Sequence, residues 1–212
     1  MEPLAPRFVP GARIRVVHPG EGWVVVDKPA GLLTVPGRGP ERADCVEAQV
    51  RALHGAAWAV HRLDLETSGL VVVATERSAL IVLSRAFEDR RVQKAYVAVV
   101  EGVLDGGGVV DAPIGAGVRP RFAVVAGGRP SRTRWTVVGV QGGRSRLVLV
   151  PETGRTHQLR LHCAYVLGTP IIGDSLYGDP ASADRLLLHA ERLVVPDPRS
   201  GAFVEVVSPP PY

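Results

Sequence analysis

His61-Arg62-Leu63-Asp64-Leu65-Glu66-Thr67-Ser68-Gly69-Leu70 runs without a break into Val71-Val72-Val73-Ala74. Two bases, two acids and two hydroxyls are compressed into a stretch that ends in a continuous apolar run. A short β-branched run bounded by a polar loop predicts a strand over 70–74, buried on both faces. A carboxylate at the mouth of such a strand is partly desolvated. Without a partner it is driven toward its neutral form; beside a guanidinium it stays ionised. Asp64 therefore needs an arginine if it is to act as nucleophile or base. Read alone, the stretch fits a solvated loop with a capping aspartate and an ST-turn equally well.

Outward from that strand, the pattern alternates between short strands and a few helices. Residues 13–18, 22–28 and 32–35 read as strands, with turns at Pro19-Gly20 and Pro29-Ala30-Gly31. Asp44 is the expected N-cap of a helix through His54, with Val46, Val50 and Leu53 on one face. Leu80, Leu83 and Phe87 mark a helix over 77–90, and 92–100 reads as a strand carrying Tyr96. A turn is expected at 106–108. Residues 131–140 and 144–150 are expected to pair as a hairpin through Gln141-Gly142-Gly143. A helix capped by Thr156 is predicted over 156–167, ending at Gly168, and strands over 186–195 and 203–207 close the chain. Residues 115–130, rich in Gly, Pro and Arg, read as a mobile surface loop. Strands joined largely by hairpins predict an α+β fold with a mixed, mostly antiparallel sheet. No GxGxxG or Walker A stretch suggests a dinucleotide or ATP site.

At 212 residues, with 46% hydrophobic and 22% charged residues, the chain has an ordinary globular composition. A chain of this size buries roughly 70% of its unfolded surface, enough for one large core. Residues 1–12, with Pro3, Pro6 and Pro10, read as an extended arm, and 13–212 as a single domain. No apolar run reaches the ~18 residues of a membrane span, and the N-terminus lacks a secretory apolar segment. Cys45 and Cys163 stand far apart, which excludes a disulfide scaffold and points to a reducing, cytoplasmic setting. The net charge of +4 is compatible with nucleic acid without requiring it. Only Lys28 and Lys94 supply lysine; the other cationic side chains are arginine.

Three further places can carry chemistry. In Glu152-Thr153-Gly154-Arg155-Thr156-His157-Gln158-Leu159-Arg160, Arg160 lies one turn into the expected helix and is a candidate partner for Asp64. An exposed helix arginine fits it as well. Arg155, near the helix start, suits a phosphate. Tyr96 shares a strand face with Lys94 and either stacks on a base or fills the core. Arg119, Arg121, Arg129, Arg132 and Arg134 can follow phosphates, or are simply a solvated surface. His157 and His162 are five apart, on different helix faces and without a third ligand, so no metal site is expected.

Taken together, these segments resemble the RluA family of pseudouridine synthases. Residues 61–70 match its HRLDxxTSGL signature at every defined position. Asp27-Lys28-Pro29-Ala30-Gly31 resembles its DKPAG, Lys94-Ala95-Tyr96 its KxY strand, and residues 153–160 its TGRTHQLR. Residues 170–178 resemble PIxGDxxYG, and Leu188-His189-Ala190 resembles LHA. The motifs follow in order over about residues 22–195. After the last of them, many members carry an aromatic residue and His-Pro; this chain reads Val194-Val195-Pro196-Asp197-Pro198. It resembles the short members that lack an N-terminal S4 domain.

The resemblance implies the pseudouridine synthase catalytic core: a curved, mostly antiparallel sheet with flanking helices and a central cleft. It implies isomerisation of uridine to pseudouridine in rRNA or tRNA, by base flipping, without cofactor or metal. Asp64 matches the catalytic aspartate, Tyr96 the tyrosine that packs on the target base, and Arg160 the arginine paired with the aspartate. Arg62 matches the arginine that fills the gap left by the extruded base, Leu188 an apolar pocket wall, and His61 and Arg155 join them as substrate-binding candidates. The chemistry suits a carboxylate. Breaking C1′–N1 builds positive charge on the ribose, which a carboxylate stabilises, captures at C1′, or relieves by taking a C2′ proton. Two alternatives remain at this level: an RNA-binding scaffold without activity, and a carboxylate hydrolase of nucleosides, which lacks an obvious second carboxylate. No protein partner is expected, and the chain is expected to be a monomer.

Overall fold

A computed structural model describes residues 8, 9 and 11–212. The strands are Arg15–Gly20 (β1), Trp23–Lys28 (β2), Trp58–Ala59 (β3), Ser68–Ala74 (β4), Gln93–Glu101 (β5) and Gly107–Asp111 (β6). Ile114–Ala116 (β7), Phe122–Val124 (β8), Arg132–Gln141 (β9), Arg144–Pro151 (β10), Leu188–Pro196 (β11) and Phe203–Val207 (β12) follow. The helices are Val46–His54 (α1), Arg77–Glu88 (α2) and Gln158–Leu161 (α3). The described chain divides into two compact units: residue 8 to Lys94 with His189–Pro211, and Ala95–Leu188 with Tyr212. Most of the expected N-terminal arm lies outside the described residues; within it, the Val9 amide donates to the Gly31 carbonyl at 2.9 Å.

In the first unit the strands run in the order β1-β2-β4-β11, with β3 also on β4 and β12 on β11. The pairs are antiparallel except β4 with β11, which run parallel through His189↔Ser68 and Ala190↔Gly69. Every residue of β4 is buried, as its unbroken apolar run predicts. Alternate residues Leu70, Val72 and Ala74 pack with Trp23, Val25, Leu83, Leu193 and Val195 in one core. α2 lays Ala79, Leu83 and Ala86 on that core, its apolar side spaced three and four apart. Gly69 is where β4 meets β11. Its φ is +110°, and a Cβ there would stand 2.4 Å from the Ala190 carbonyl oxygen, so the motif's glycine is a packing requirement.

In the second unit β5, β10, β9 and β6 pair in that order, all antiparallel. The β9–β10 turn is Gly142-Gly143, with both φ values positive, as a tight hairpin of this twist requires. Ala98, Val100, Leu147, Leu149, Leu159, Ile171 and Leu188 form the core.

Several local expectations are corrected. The cap of α1 is Cys45, whose Sγ accepts from the Ala48 amide; Asp44 instead takes the Gln49 amide nitrogen at 2.8 Å. Residues 32–35 make only an isolated bridge, Leu33↔Cys45, rather than a strand. The helix expected over 156–167 starts at Gln158 after a left-handed His157, and from His162 to Val166 it widens into a π turn. Thr156 therefore caps nothing. The expected turn at 106–108 is largely strand β6, and the loop at 115–130 holds the β7–β8 hairpin.

Candidate active site

Asp64 lies on a loop whose backbone is fastened on both sides of it. Before it, the Thr34 hydroxyl donates to the Leu63 carbonyl at 3.0 Å and accepts from the Leu63 amide at 3.2 Å. After it, the Leu65 carbonyl accepts from the Gly31 amide at 2.9 Å and from Lys28 Nζ at 3.1 Å. Lys28 is fully buried, and its ammonium also donates to the carbonyls of Leu32 at 2.8 Å and Pro29 at 3.0 Å. A compact ammonium with three donors suits converging carbonyls; a planar guanidinium does not. This gives Lys28 a duty that arginine cannot take over. The two clamps fix the chain around Asp64, which is itself half-buried.

The start of the same loop is tacked to β4. The Val60 amide donates to the Val72 carbonyl, and the Val72 amide donates to His61 Nε2 at 3.1 Å. An Nε2 that accepts leaves the ring proton on Nδ1. His61 stacks on Phe87 with ring centres 4.6 Å apart, and Lys94 Nζ sits 5.9 Å from the same Phe87 ring. Burial, aided by the Lys94 charge, pushes the His61 imidazole down to about 3, so it is neutral at physiological pH. Burial lowers Lys94 as well. These contacts occupy His61 with holding the loop. Arg62, the next residue, is exposed.

Behind the loop's exit, Ser68 Oγ and His189 Nδ1 are 2.8 Å apart, and His189 Nε2 meets the Ser208 carbonyl at 2.9 Å. Nε2 must donate to that carbonyl, so Nδ1 accepts from Ser68. Ser208 Oγ donates to Asp27, which also pairs with Arg15 at 2.9 Å. Residues from the DKPAG, TSGL and LHA motifs are thus joined in one hydrogen-bonded chain.

In the second unit Arg160 is almost fully buried and clasps the fully buried Asp174. Nε donates to Oδ2 at 2.8 Å and Nη2 to Oδ1 at 2.6 Å, a fork-to-fork pairing. Asp174 Oδ1 also accepts from the amides of Leu176 and Tyr177, each at 2.9 Å. A position inside the PIIGDSLYG stretch thus fixes the arginine, a partnership that reading the sequence did not find. Gly173 beside it has φ +74°, and a Cβ there would stand 2.0 Å from the Arg185 carbonyl.

Gln158 welds the turn before α3 to β9. Its Oε1 accepts from Thr153 Oγ1 and the Arg155 amide, and its Nε2 donates to the Arg132 carbonyl and Thr133 Oγ1. Arg155 is half-buried, and its Nε donates to the Pro130 carbonyl at 3.2 Å. Tyr96 is half-buried on β5 against the cluster that contains Leu159 and Leu188. Leu188 itself is 2% exposed. Of the five arginines at 119–134, Arg132 pairs with Glu152 at 3.1 Å and Asp111 at 3.5 Å, and Arg134 with Glu152 at 3.2 Å. Arg119, Arg121 and Arg129 are exposed.

A family model described as RNA pseudouridylate synthase matches residues 22–165. That span holds the fastened Asp64 loop, the KxY strand and the turn into α3, so the protein is an enzyme that isomerises uridine to pseudouridine in RNA. Over 202 residues the chain is 41% identical to the dual-specificity RNA pseudouridine synthase RluA of Escherichia coli (strain K12), covering 92% of each chain. It is 38% identical to ribosomal large subunit pseudouridine synthase D of Nitrosomonas europaea, covering 93% of this chain and 62% of that one. Among solved structures, human RNA pseudouridylate synthase domain containing 1 superposes with a TM-score of 0.80 at 29% identity, covering 97% of this chain and 87% of that one. The chain belongs to the RluA family of RNA pseudouridine synthases. Among the described residues no helix is long and apolar enough to cross a membrane.

Proposed function

We propose that Asp64 is the carboxylate that acts on the ribose of the target uridine, that Tyr96 stacks on its uracil, and that Arg160 is the cation that keeps Asp64 ionised. The observation that carries this reading is the double fastening of the Asp64 loop, by Thr34 at Leu63 and by Lys28 and Gly31 at Leu65. A group that must meet a developing charge gains most when its backbone needs no reorganisation. Leu188 and the core beneath Tyr96 supply an apolar wall for the base. Arg62, exposed beside Asp64, fills the space the flipped base leaves and recovers part of the few kcal/mol that unstacking costs. His61 serves this site by positioning the loop. Arg119, Arg121 and Arg129, with Arg155 at the root of their hairpin, follow the RNA backbone. In this reading residues 13–212 work as one catalytic domain, as a monomer, in the cytoplasm. The RNA is a transfer or ribosomal RNA, and the dual specificity named for the Escherichia coli relative makes both worth testing.

The test uses the proton that leaves C5 when the new C5–C1′ bond is completed. Unmodified transcripts carrying tritium at C5 of uridine should release label with wild-type protein and none with Asp64→Asn, while the variant keeps its fold and its RNA affinity. Deleting the gene and mapping pseudouridines in total rRNA and tRNA names the substrate. Sites lost on deletion should return with wild type and not with Asp64→Asn. Label release by Asp64→Asn at the wild-type rate would overturn the assignment.

A further inference from the structure

The β7–β8 hairpin is a seated element with two different sides. Ile114, Phe122 and Val124 pack on Leu161, Leu176 and Tyr177, while Arg119 and Arg121 at its far end are exposed. One side chain fastens it at its second strand. The Phe122 amide donates to the Tyr177 hydroxyl at 2.9 Å, and that hydroxyl shares a hydrogen bond with His157 Nδ1 at 2.7 Å. The His157 ring, held in a left-handed backbone, lies edge-on to both Phe122 and Tyr177. The face of the Tyr177 ring carries the Arg160 guanidinium, 5.4 Å from the ring centre. The Tyr177 amide is bound by Asp174, the carboxylate that grips Arg160.

We infer that Tyr177 is a positioning residue for the reaction: its hydroxyl seats the arginine-bearing hairpin while its ring and amide brace the Arg160–Asp174 pair. This rests on the reading of Arg160 and the hairpin given above. The hairpin and Arg160 then share one support, so a seated hairpin and a correctly held Arg160 go together. A protein whose hairpin is only partly seated binds RNA more weakly by the seated fraction. The ring and the hydroxyl have separable duties, because the phenyl ring alone still offers its face to a guanidinium.

Tyr177→Phe removes the hydroxyl and keeps the ring; Tyr177→Leu removes both. Tyr177→Phe removes the hydroxyl's hydrogen bonds to the Phe122 amide and to His157; loss of the one that ties the hairpin predicts a KM for RNA raised about fivefold, with the loss falling on KM rather than kcat. Tryptic cleavage after Arg121, an exposed bond at the hairpin, should quicken by a similar factor in the free protein. For Tyr177→Leu, kcat should fall as well. Label release from the C5-tritiated transcript gives KM and kcat, and circular dichroism shows that each variant is folded. Unchanged KM and unchanged cleavage in Tyr177→Phe would overturn the inference, as would a kcat loss in that variant equal to that of Tyr177→Leu. If wild type releases no label, the functional reading fails instead, and the tryptic comparison still decides the hairpin's anchorage.

Discussion

The buried ammonium of Lys28 donates to the carbonyl of Leu65, the residue that follows Asp64, at 3.1 Å. Two more carbonyls, Pro29 and Leu32, share the same nitrogen. Lys28→Met removes all three bonds and leaves the buried Leu32 carbonyl without this donor, so a loss of about 3 kcal/mol in urea unfolding is expected. Lys28→Arg should not restore activity, because a planar fork cannot serve three converging carbonyls. Thr34→Val is the gentler probe: it keeps the shape, removes both bonds to Leu63, and should cost about 1–2 kcal/mol. A larger loss in label release than this stability change explains is the expected mark of Asp64 misplacement. Full activity in Thr34→Val would show that the clamp does not serve catalysis.

Arg160 and Asp174 form a buried pair, with side-chain exposures of 2% and 0%. Removing one partner takes the opposing charge of this pair away from a buried ion. Asp174→Asn should therefore destabilise the protein by about 3–5 kcal/mol and abolish activity with it. The double variant Arg160→Met/Asp174→Leu is expected to recover stability but no activity, if Arg160 has the role proposed for it. Chemical unfolding of Arg160→Met, Asp174→Leu and the double yields the coupling directly. Additive losses in the double variant would mean that the pair does not act as a unit.

The buried strand β4, the helix α2 and the β9–β10 hairpin were legible because each rests on a local pattern: an unbroken apolar run, a three-and-four spacing, a Gly-Gly turn. Asp64, Arg62, Tyr96 and Arg160 were singled out through ordered motifs. What hid from the sequence were partnerships between distant residues. Thr34 with Leu63 and Asp174 with Arg160 depend on tertiary approach that no spacing encodes. The early end of regular helix after α3 was hidden for a similar reason. His162 is held on two sides, by Thr133 Oγ1 at 2.9 Å and the Ala112 carbonyl at 3.1 Å, in the segment that widens into a π turn. The β7–β8 hairpin has too few apolar residues to show a period, and its order comes from the surface beneath it.

Acid should weaken the fold through His61. Its folded-state value of about 3 lies below the ordinary 6.5 of the unfolded chain. Between those values the unfolded state takes up a proton that the folded state refuses, so stability falls as pH drops through the window. The contribution is on the order of 3 kcal/mol by pH 4, and His162, lowered by burial, adds in the same direction. His61→Gln should lose some stability at pH 7 and show a shallower decline from pH 7 to 4. Urea titrations at several pH values measure both slopes; identical slopes would remove His61 from the account.

The arginines of residues 119–134 should divide by their partners. Arg132 and Arg134 hold Glu152 and Asp111, so their charge is partly spent within the protein. Arg119 and Arg121 are exposed at the hairpin end. Replacing both with Ala should weaken RNA binding and flatten the dependence of log affinity on log salt by about 0.7–0.9 for each phosphate no longer neutralised. Arg134→Ala should change the slope less, because the Arg134 charge is already partly neutralised by Glu152. Filter binding across a salt series separates the cases. Equal slopes for wild type and the Arg119/Arg121 double variant would place the RNA backbone elsewhere. A slope that falls with Arg134→Ala alone would mean that the Glu152 pair opens when RNA arrives.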